Sequence, residues 1–422
     1  MIVDEASYAQ NNLPESLMVV VGDLSADHHT SKLISKLKAA KPNLNIWGLG
    51  SSQMRESGVE ILFDCKDFSS IGILGVVKVI PFLARVRHTL LSEMEKRQPK
   101  AVLLVDYGGF NLVLAKAIRK KYKKLPIYYF ISPQVWGSRP WRLKTIAQTV
   151  SKMLVIFPFE EVIYKSSGIP VKFVGHPLTK NVPEGSALPT RAEFCQLHGL
   201  DPASSLIAVF PGSRKNEIKN FLPVLIDAIK RLLRERSEIQ FAISRANEDL
   251  GIAIEERLRK DLGDRGYIDK VKLINSLENY SLMSACDLVW AKSGTTALEV
   301  TLLGKPMLIF YRGDWLSYLI FLAFKRVRRV SWPNLLAGKA LVPELIQLDC
   351  RADQLVKYTK DLLDVPALRQ EISDELLTLR NQLGEGDYAQ NCAVELMEVL
   401  GSSENSLNNQ TKERTGGQGA IA

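Results

Sequence analysis

LMVVVGDLSADHHTSKLISKLKAAKPNLNIWGLG, residues 17–50, contains one full cycle of strand, loop, helix and strand. Two apolar runs, LMVVVG (17–22) and NIWGLG (45–50), are short enough to be buried strands, and the polar stretch between them opens as a helix. Strands that alternate with helices in this way build a parallel sheet covered on both faces. A dinucleotide-binding loop after the first strand would be rich in glycine. This loop has Gly22 alone, followed by Asp23, Asp27, His28 and His29, and its acids would repel a phosphate. The stretch therefore sets the fold class while excluding the commonest function for a loop at that place.

The pattern repeats along the chain. AVLLVDY (101–107), IYYFIS (127–132), MLVIF (153–157) and VKFVGH (171–176) read as further buried strands, separated by segments with helical spacing such as VLAKAIRKKYKK (113–124). A polar stretch with two prolines, VPEGSALPTRAE (182–193), interrupts the alternation. It resumes with LIAVF (206–210), IQFAIS (239–244), VKLI (271–274), DLVWA (287–291) and PMLIF (306–310). The expected organisation is an extension over 1–16, a first doubly wound domain over 17–185, and a second over 186–350. Polar-faced helices then follow over 351–400, with a return onto the first domain left open, and a Gly/Ser/Asn/Gln-rich tail, 401–422, is expected to be disordered.

A chain of 422 residues supports two cores. Its net charge of +9 invites an anionic partner, whether a nucleotide, a nucleic acid or a membrane face. No binding motif supports nucleic acid. The five cysteines lie far apart without a CxxC pair, which fits neither a disulfide framework nor a zinc site and suits a reducing cytosol. The acidic start is no signal peptide, and no apolar run reaches the roughly 18–20 residues that span a bilayer.

In open parallel sheets ligands bind at the carboxyl ends of strands, so the loops there carry the information. FPGSRKNEI (210–218) offers a turn, Ser213 to cap the next helix, and Arg214 beside that helix start, a combination suited to phosphate. It also reads as an ordinary connection with a surface arginine. In AKSGTTALEVTLLGKPMLIFY (291–311), Ser293, Gly294, Thr295 and Thr296 present small residues at a helix start, and the carboxylate of Glu299 suits a ribose diol. Glu299 reads equally as a favourable acid near a helix N-terminus. Together the two loops indicate a nucleotide site. No carboxylate cluster marks a metal, so a metal-free and cofactor-free transfer from a nucleoside-diphosphate donor is expected.

In the first domain, Asp106 ends the strand AVLLVDYGGFN (101–111) beside Gly108 and Gly109, a place for a general base or for a helix cap near Asn111. YYFISPQVWGSRPWRLKTI (128–146) brings Ser132, Trp136, Arg139, Trp141 and Arg142 after the next strand, and FVGHPL (173–178) adds His176. Aromatics among arginines stack on sugars, bind nucleic acid or fill an interface. The most apolar run, LSYLIFLAF (316–324) within 311–347, holds Leu316, Leu319 and Phe321, is preceded by Trp315, and is followed by Lys325, Arg326, Arg328 and Arg329. Apolar and basic residues side by side are what an interfacial helix on an anionic bilayer needs, although a buried helix with a charged end gives the same pattern.

From about residue 17 to 398 the chain resembles the lipid-A-disaccharide synthases, glycosyltransferase family 19. The likeness rests on GDLSAD, ILGVVKVIP (73–81), DYGGFN, FISPQVW, LVIFPFE (154–160), FVGHPL, PGSRKNEI, SGTTALE with LLGKPMLIFYR, and WPNLLAGKALVPELIQ (332–347). The resemblance implies the GT-B architecture, with two Rossmann-like domains facing a cleft. It implies inverting transfer of diacylglucosamine from UDP-2,3-diacylglucosamine to the 6-hydroxyl of 2,3-diacylglucosamine 1-phosphate, releasing UDP. It further implies an enzyme held peripherally on the cytoplasmic face of an anionic membrane, and leaves room for a homodimer.

Carried over by position, Asp106 is the candidate base; His29, in the first loop, is by its own chemistry a second candidate for proton transfer. Ser213, Arg214, Ser293, Gly294, Thr295, Thr296 and Glu299 look like the UDP site, joined by Asn334 and Gln347. Ser25, Asp27, Asn111, Ser132 and Trp136 are the candidate acceptor contacts. The family's first loop reads GEASGD, where this chain has Asp23 and Ala26; DxPDFN has Gly109 here, and VWAW has Gly137-Ser138. These departures bear on acceptor specificity more than on the reaction. The alternatives are another GT-B transferase, a sugar-nucleotide epimerase, or an inactive relative that binds lipid or nucleotide.

Overall fold

Alternating apolar side chains of the central strands of the first unit feed two opposite cores, so that sheet is covered on both faces. The computed structural model describes residues 14–69, 76–183, 187–263, 266–313, 329–384 and 386–401. The chain divides into two compact units, Met1–Pro177 with Leu383–Ala422, and Leu178–Gln382.

The first unit has seven parallel strands: β1 (Ser16–Val21), β2 (Asn45–Gly50), β3 (Glu60–Asp64), β4 (Ala101–Val105), β5 (Ile127–Phe130), β6 (Lys152–Val155) and β7 (Val171–Phe173). Their order is β3-β2-β1-β4-β5-β6-β7. Met18, Val20, Val102 and Leu104 enter one core, while Leu17, Val19, Leu103 and Val105 enter the other. This is the period-2 alternation of a doubly covered sheet. The order reverses at β1, whose neighbour β4 carries the chain the other way. Val21 pairs with Val105 there, so the loops after β1 and β4 leave the sheet side by side. That is where such folds bind ligands.

The second unit repeats the plan with β8 (Leu206–Phe210), β9 (Gln240–Arg245), β10 (Val271–Asn275), β11 (Leu288–Lys292), β12 (Met307–Tyr311) and β13 (Glu344–Ile346). The order is β10-β9-β8-β11-β12-β13, all parallel. Its reversal lies between β8 and β11, where Phe210 pairs with Ala291, so PGSR and SGTT are adjacent. Trp290 on β11 is fully buried and donates its indole N–H to Thr359 Oγ1 at 3.0 Å, tying the helix Ala352–Asp364 to the sheet.

Strands β3 and β13 are absent from the apolar runs read in the sequence. Both lie at sheet edges and are short; EILFD starts and ends on acids, and ELI spans three residues. The helices Ala352–Asp364 and Pro366–Gln382 belong to the second unit. The last helix, Tyr388–Val399, belongs to the first, and its Tyr388, Ala393 and Leu396 lie in one core with Leu33 and Leu37 of the helix Leu24–Ala40. His176 N–H to the Leu383 carbonyl (2.9 Å) and Asn391 Nδ2 to the Val174 carbonyl (2.9 Å) fix that return.

Candidate active site

The turn after β4 is the most constrained backbone of the first unit. Asp106 and Tyr107 both have φ of +44°, and Ile131, after the neighbouring β5, has φ of +56°. Non-glycine residues in the left-handed region cost of order 1–3 kcal/mol each, and such strain collects at functional sites. The surroundings hold the turn by its backbone. Tyr129 donates its hydroxyl to the Asp106 carbonyl, Asn111 Nδ2 donates to the carbonyls of Val105 (3.0 Å) and Asp106 (2.9 Å), and Asp106 N–H donates to Phe130 O (3.0 Å). The ring of Tyr107 lies over Gly22, where an added Cβ would sit 2.2 Å from it. The single glycine of the first loop is therefore required by Tyr107, not by a phosphate.

Fixing the backbone leaves the Asp106 carboxyl to its environment. Burial, reinforced by the neighbouring charge of Asp23 and opposed by the Tyr107 amide, pushes it up to about 6. A carboxylate tuned close to neutrality is what general base catalysis requires.

Other residues of this unit serve differently from their expected roles. The cap of the helix Leu24–Ala40 is Asp23, whose Oδ1 accepts from Ala26 N–H at 2.9 Å. Ser25 is exposed on the first turn. Asp27 is buried and accepts from the backbone of Ser51 (2.6 Å) and Gln53 (3.1 Å), one bond to each carboxylate oxygen. It ties the helix start to the loop after β2. Asn111 spends Nδ2 on the Asp106 turn, while its buried Oδ1 has no hydrogen-bond partner among the described residues. His29 packs edge-on against Tyr388, with its Nδ1 buried and unbonded among the described residues. Burial, then the charges of His28 and Lys32, lower it to about 4, which makes it a weak base at neutral pH. His176, against Phe157, is pushed down to about 3 by burial first and His29 second.

Ser132 and Trp136 converge on a residue the sequence reading passed over. Glu160, 2% exposed in the first turn of the helix Pro158–Ser166, accepts from the Trp136 indole at 3.3 Å. Ser132 shares a 2.6 Å hydrogen bond with Tyr164 on the same helix and donates to Pro133 O. Burial raises Glu160 to about 7, against the opposing Trp136 bond. Between the ordinary 4.5 and about 7 the folded chain holds a proton that the unfolded chain releases. Stability is thus highest below 4.5 and falls as pH rises to 7, by about 3 kcal/mol in all. Glu160→Gln should remove that slope: thermal melts at pH 8 should favour the variant by about 3 kcal/mol more than melts at pH 4.5. An unchanged difference between the two pH values would refute the assignment.

In the second unit the helix Lys215–Glu235 starts one residue later than the sequence reading implies. Its N-cap is Arg214, and Ser213 does not cap it. Instead Ser213 N–H donates to Glu217 Oε2 at 3.0 Å. Glu217 also pairs with Lys292 at the end of β11 (3.0 Å) and with Arg214 (3.6 Å). The Arg214 side chain is 81% exposed. Glu217 and Lys292 are a pair the motif reading did not assign; the sheet reversal that joins PGSR to SGTT is the signal that brings them together. Gly294 is the N-cap of the helix Thr295–Leu302 without a side-chain cap, and Ser293 N–H donates to Phe310 O. Thr295 is exposed and Thr296 half-buried at that helix start. Glu299, on the same helix, accepts from Tyr280 OH at 3.0 Å, and burial raises its carboxyl above the usual range.

Asn334 and Gln347 are taken up by their own chain. Asn334 accepts from Leu341 and Val342 N–H and donates to Val342 O and Glu344 Oε1, all within 2.9 Å. Gln347 pairs both ways with the Gly313 peptide, at 2.7 and 3.1 Å. The bonds of Asn334 fill both of its polar atoms, whereas Gln347 keeps one Nε2 hydrogen beyond its pairing with Gly313. Trp315, Leu316, Leu319, Phe321, Lys325, Arg326 and Arg328 lie outside the described residues, and Arg329 is half-buried. Among the described residues no helix is long and apolar enough to cross a membrane.

Comparison with known proteins adds to this geometry. Residues 17–392 match the family model for lipid-A-disaccharide synthetase. The chain is 34% identical over 392 residues to the lipid-A-disaccharide synthase of Geobacter sulfurreducens, covering 92% of this chain and 98% of that one. Among solved structures it is similar to the UDP-GlcNAc 2-epimerase of Neisseria meningitidis bound to UDP-GlcNAc, with TM-score 0.58, 14% identity, and coverage of 91% of this chain and 100% of that one. A Rickettsia africae glycosyltransferase gives TM-score 0.56 at 10% identity, covering 93% and 100%. At these identities the structural likeness establishes the shared two-domain α/β fold.

Proposed function

The chain belongs to the lipid-A-disaccharide synthetase family, and from that premise we propose that its first unit activates the acceptor through Asp106 while its second holds the UDP of the donor. The enzyme is a UDP-sugar glycosyltransferase of lipid A biosynthesis. It moves 2,3-diacylglucosamine from UDP to the 6-hydroxyl of 2,3-diacylglucosamine 1-phosphate. The observation that carries the residue assignment is Asp106: a carboxyl on a strained turn at the sheet reversal, raised to about 6.

In this reading the Asp106 carboxylate takes the proton of the acceptor's 6-hydroxyl. The oxygen attacks C1 of the donor sugar from the face opposite the diphosphate, and the bond from C1 to the phosphate oxygen breaks with its electron pair on UDP. The configuration at C1 inverts. Arg214, Lys292 and the amides that open the helix Thr295–Leu302 supply positive charge for the departing diphosphate. Glu299, held by Tyr280, takes the ribose hydroxyls. The stretch containing Trp315–Phe321 and Lys325–Arg329 contacts the anionic inner face of the cytoplasmic membrane, where both acylated substrates reside.

UDP release from UDP-2,3-diacylglucosamine and the monosaccharide 1-phosphate, with and without EDTA, tests the reading. Equal release under both conditions is expected. No release in either arm defeats it, release abolished by EDTA defeats the metal-free step, and a free epimerised sugar would identify an epimerase. Co-sedimentation with phosphatidylglycerol vesicles should weaken steeply between low and 0.5 M salt, and salt-insensitive binding would remove the basic stretch from the contact.

A further inference from the structure

We propose that Arg142, with Arg139 beside it, binds the phosphate monoester of the acceptor sugar. The inference rests on the reading that the first unit takes the acceptor, and it assigns that substrate's charged end.

Arg142 opens the helix Arg142–Thr149 and is only partly exposed. Its Nη1 would stand 2.8 Å from a Cβ placed on Gly108, so the guanidinium lies against the glycine two residues beyond Asp106. Tyr129, the residue whose hydroxyl holds the Asp106 carbonyl, is among its electrostatic neighbours, as is Arg139. Among the described residues no carboxylate pairs with Arg142 and no acceptor takes a hydrogen bond from its guanidinium, while other arginines of this unit, such as Arg97 and Arg119, are bonded through several nitrogens. A guanidinium that is partly desolvated, faces a like charge and lacks a counter-ion is costly unless a ligand supplies the anion. Burial and the Arg139 charge together hold its pKa below the usual arginine range.

The surroundings suit a phosphate monoester. The fork of an arginine matches two phosphate oxygens at once. Gly109, next along the turn, has nothing within 4 Å of where its Cβ would be, which leaves an open approach to the backbone. Gly108 cannot be enlarged, because a Cβ there would also meet Pro133 at 2.6 Å. The base and the arginine thus flank one short turn, as a substrate with a reacting hydroxyl on one side of its ring and a phosphate on the other requires.

The test compares 2,3-diacylglucosamine 1-phosphate with 2,3-diacylglucosamine as acceptors for wild type, Arg142→Ala and Arg142→Lys. Wild type should prefer the phosphorylated acceptor. Arg142→Ala should lose roughly 10- to 50-fold in kcat/KM on it, and little on the unphosphorylated one. Arg142→Lys should fall between, with UDP affinity and melting temperature unchanged. An equal loss on both acceptors, or an intact preference in Arg142→Ala, overturns the proposal. So does an Arg139→Ala/Arg142→Ala variant that keeps the preference but loses binding to phosphatidylglycerol vesicles, since the pair would then read lipid headgroups. If wild type turns over neither acceptor, the proposed reaction fails instead. Calorimetry with glucosamine 1-phosphate then decides the subsite, because wild type must bind it and Arg142→Ala must not.

Discussion

Asp106→Asn should lower turnover by about 10²- to 10⁴-fold while leaving UDP affinity at the wild-type value. Asparagine is close to isosteric and tolerates the left-handed region, so the strained turn, with its φ of +44°, should survive the change. What disappears is the proton acceptor. In wild type the acid limb of the pH–rate profile should bend near 6, with rates falling about tenfold per pH unit below it as the carboxylate is protonated. The residual activity of the variant should lack that limb.

A second consequence follows from the same raised pKa. Between the ordinary 3.8 and about 6 the folded protein retains a proton that the unfolded chain has released, so stability is lost across that window and stays lost above it. Removing the carboxyl restores about 3 kcal/mol at pH 8, and Asp106→Asn should melt a few degrees higher there while the two proteins converge near pH 4. A variant that is less active and more stable is the signature of a strained catalytic group. If the variant turns over within threefold of wild type, or keeps the acid limb, Asp106 is not the base.

Much of this was legible because doubly wound sheets place function directly after apolar runs. Asp106, Glu299 and the PGSR and SGTT loops all follow strands recognisable from their hydrophobicity, and the sheet reversals join them in pairs. Four of the candidate contacts have a structural use that the sequence does not show, and it has one physical cause. Asp27, Asn111, Asn334 and Gln347 are polar residues near ligand-bearing loops, and a sequence cannot say whether such a side chain faces a substrate or its own backbone. All four face backbone. Buried peptide groups must be paired, and loops leaving a sheet expose many of them. Glu160 and Glu217 went unassigned for the opposite reason. An acid in the first turn of a helix is expected for the helix dipole alone, so nothing in PFEE or KNEI separates a buried acid from a surface one. The left-handed turn at Asp106-Tyr107 is also invisible in sequence, since neither residue is glycine.

Glu299→Ala should weaken UDP binding by roughly 100-fold, and the way it does so separates a ribose contact from a structural one. The carboxylate is mostly buried, accepts from Tyr280 through Oε1, and takes no hydrogen bond on Oε2 from the described residues. A carboxylate so placed can accept from the two hydroxyls of a ribose diol, and hydrogen bonds to a charged group contribute about 1.5–3 kcal/mol each. Wild type should therefore bind UDP well above 2′-deoxy-UDP, and Glu299→Ala should bind both equally poorly. Tyr280→Phe keeps the carboxylate but frees its orientation, so a smaller loss of about 3- to 10-fold is expected, with part of the discrimination retained. Were Glu299 only a favourable charge near the start of its helix, Glu299→Ala would lower stability by about 0.3–1 kcal/mol and leave the ratio of the two nucleotides untouched. Calorimetric titration of both ligands into the three proteins measures that ratio directly. A ratio that survives Glu299→Ala removes Glu299 from the nucleotide site and leaves the helix start and the basic pair Arg214 and Lys292 to hold UDP through its diphosphate, without any preference for the sugar of the nucleotide.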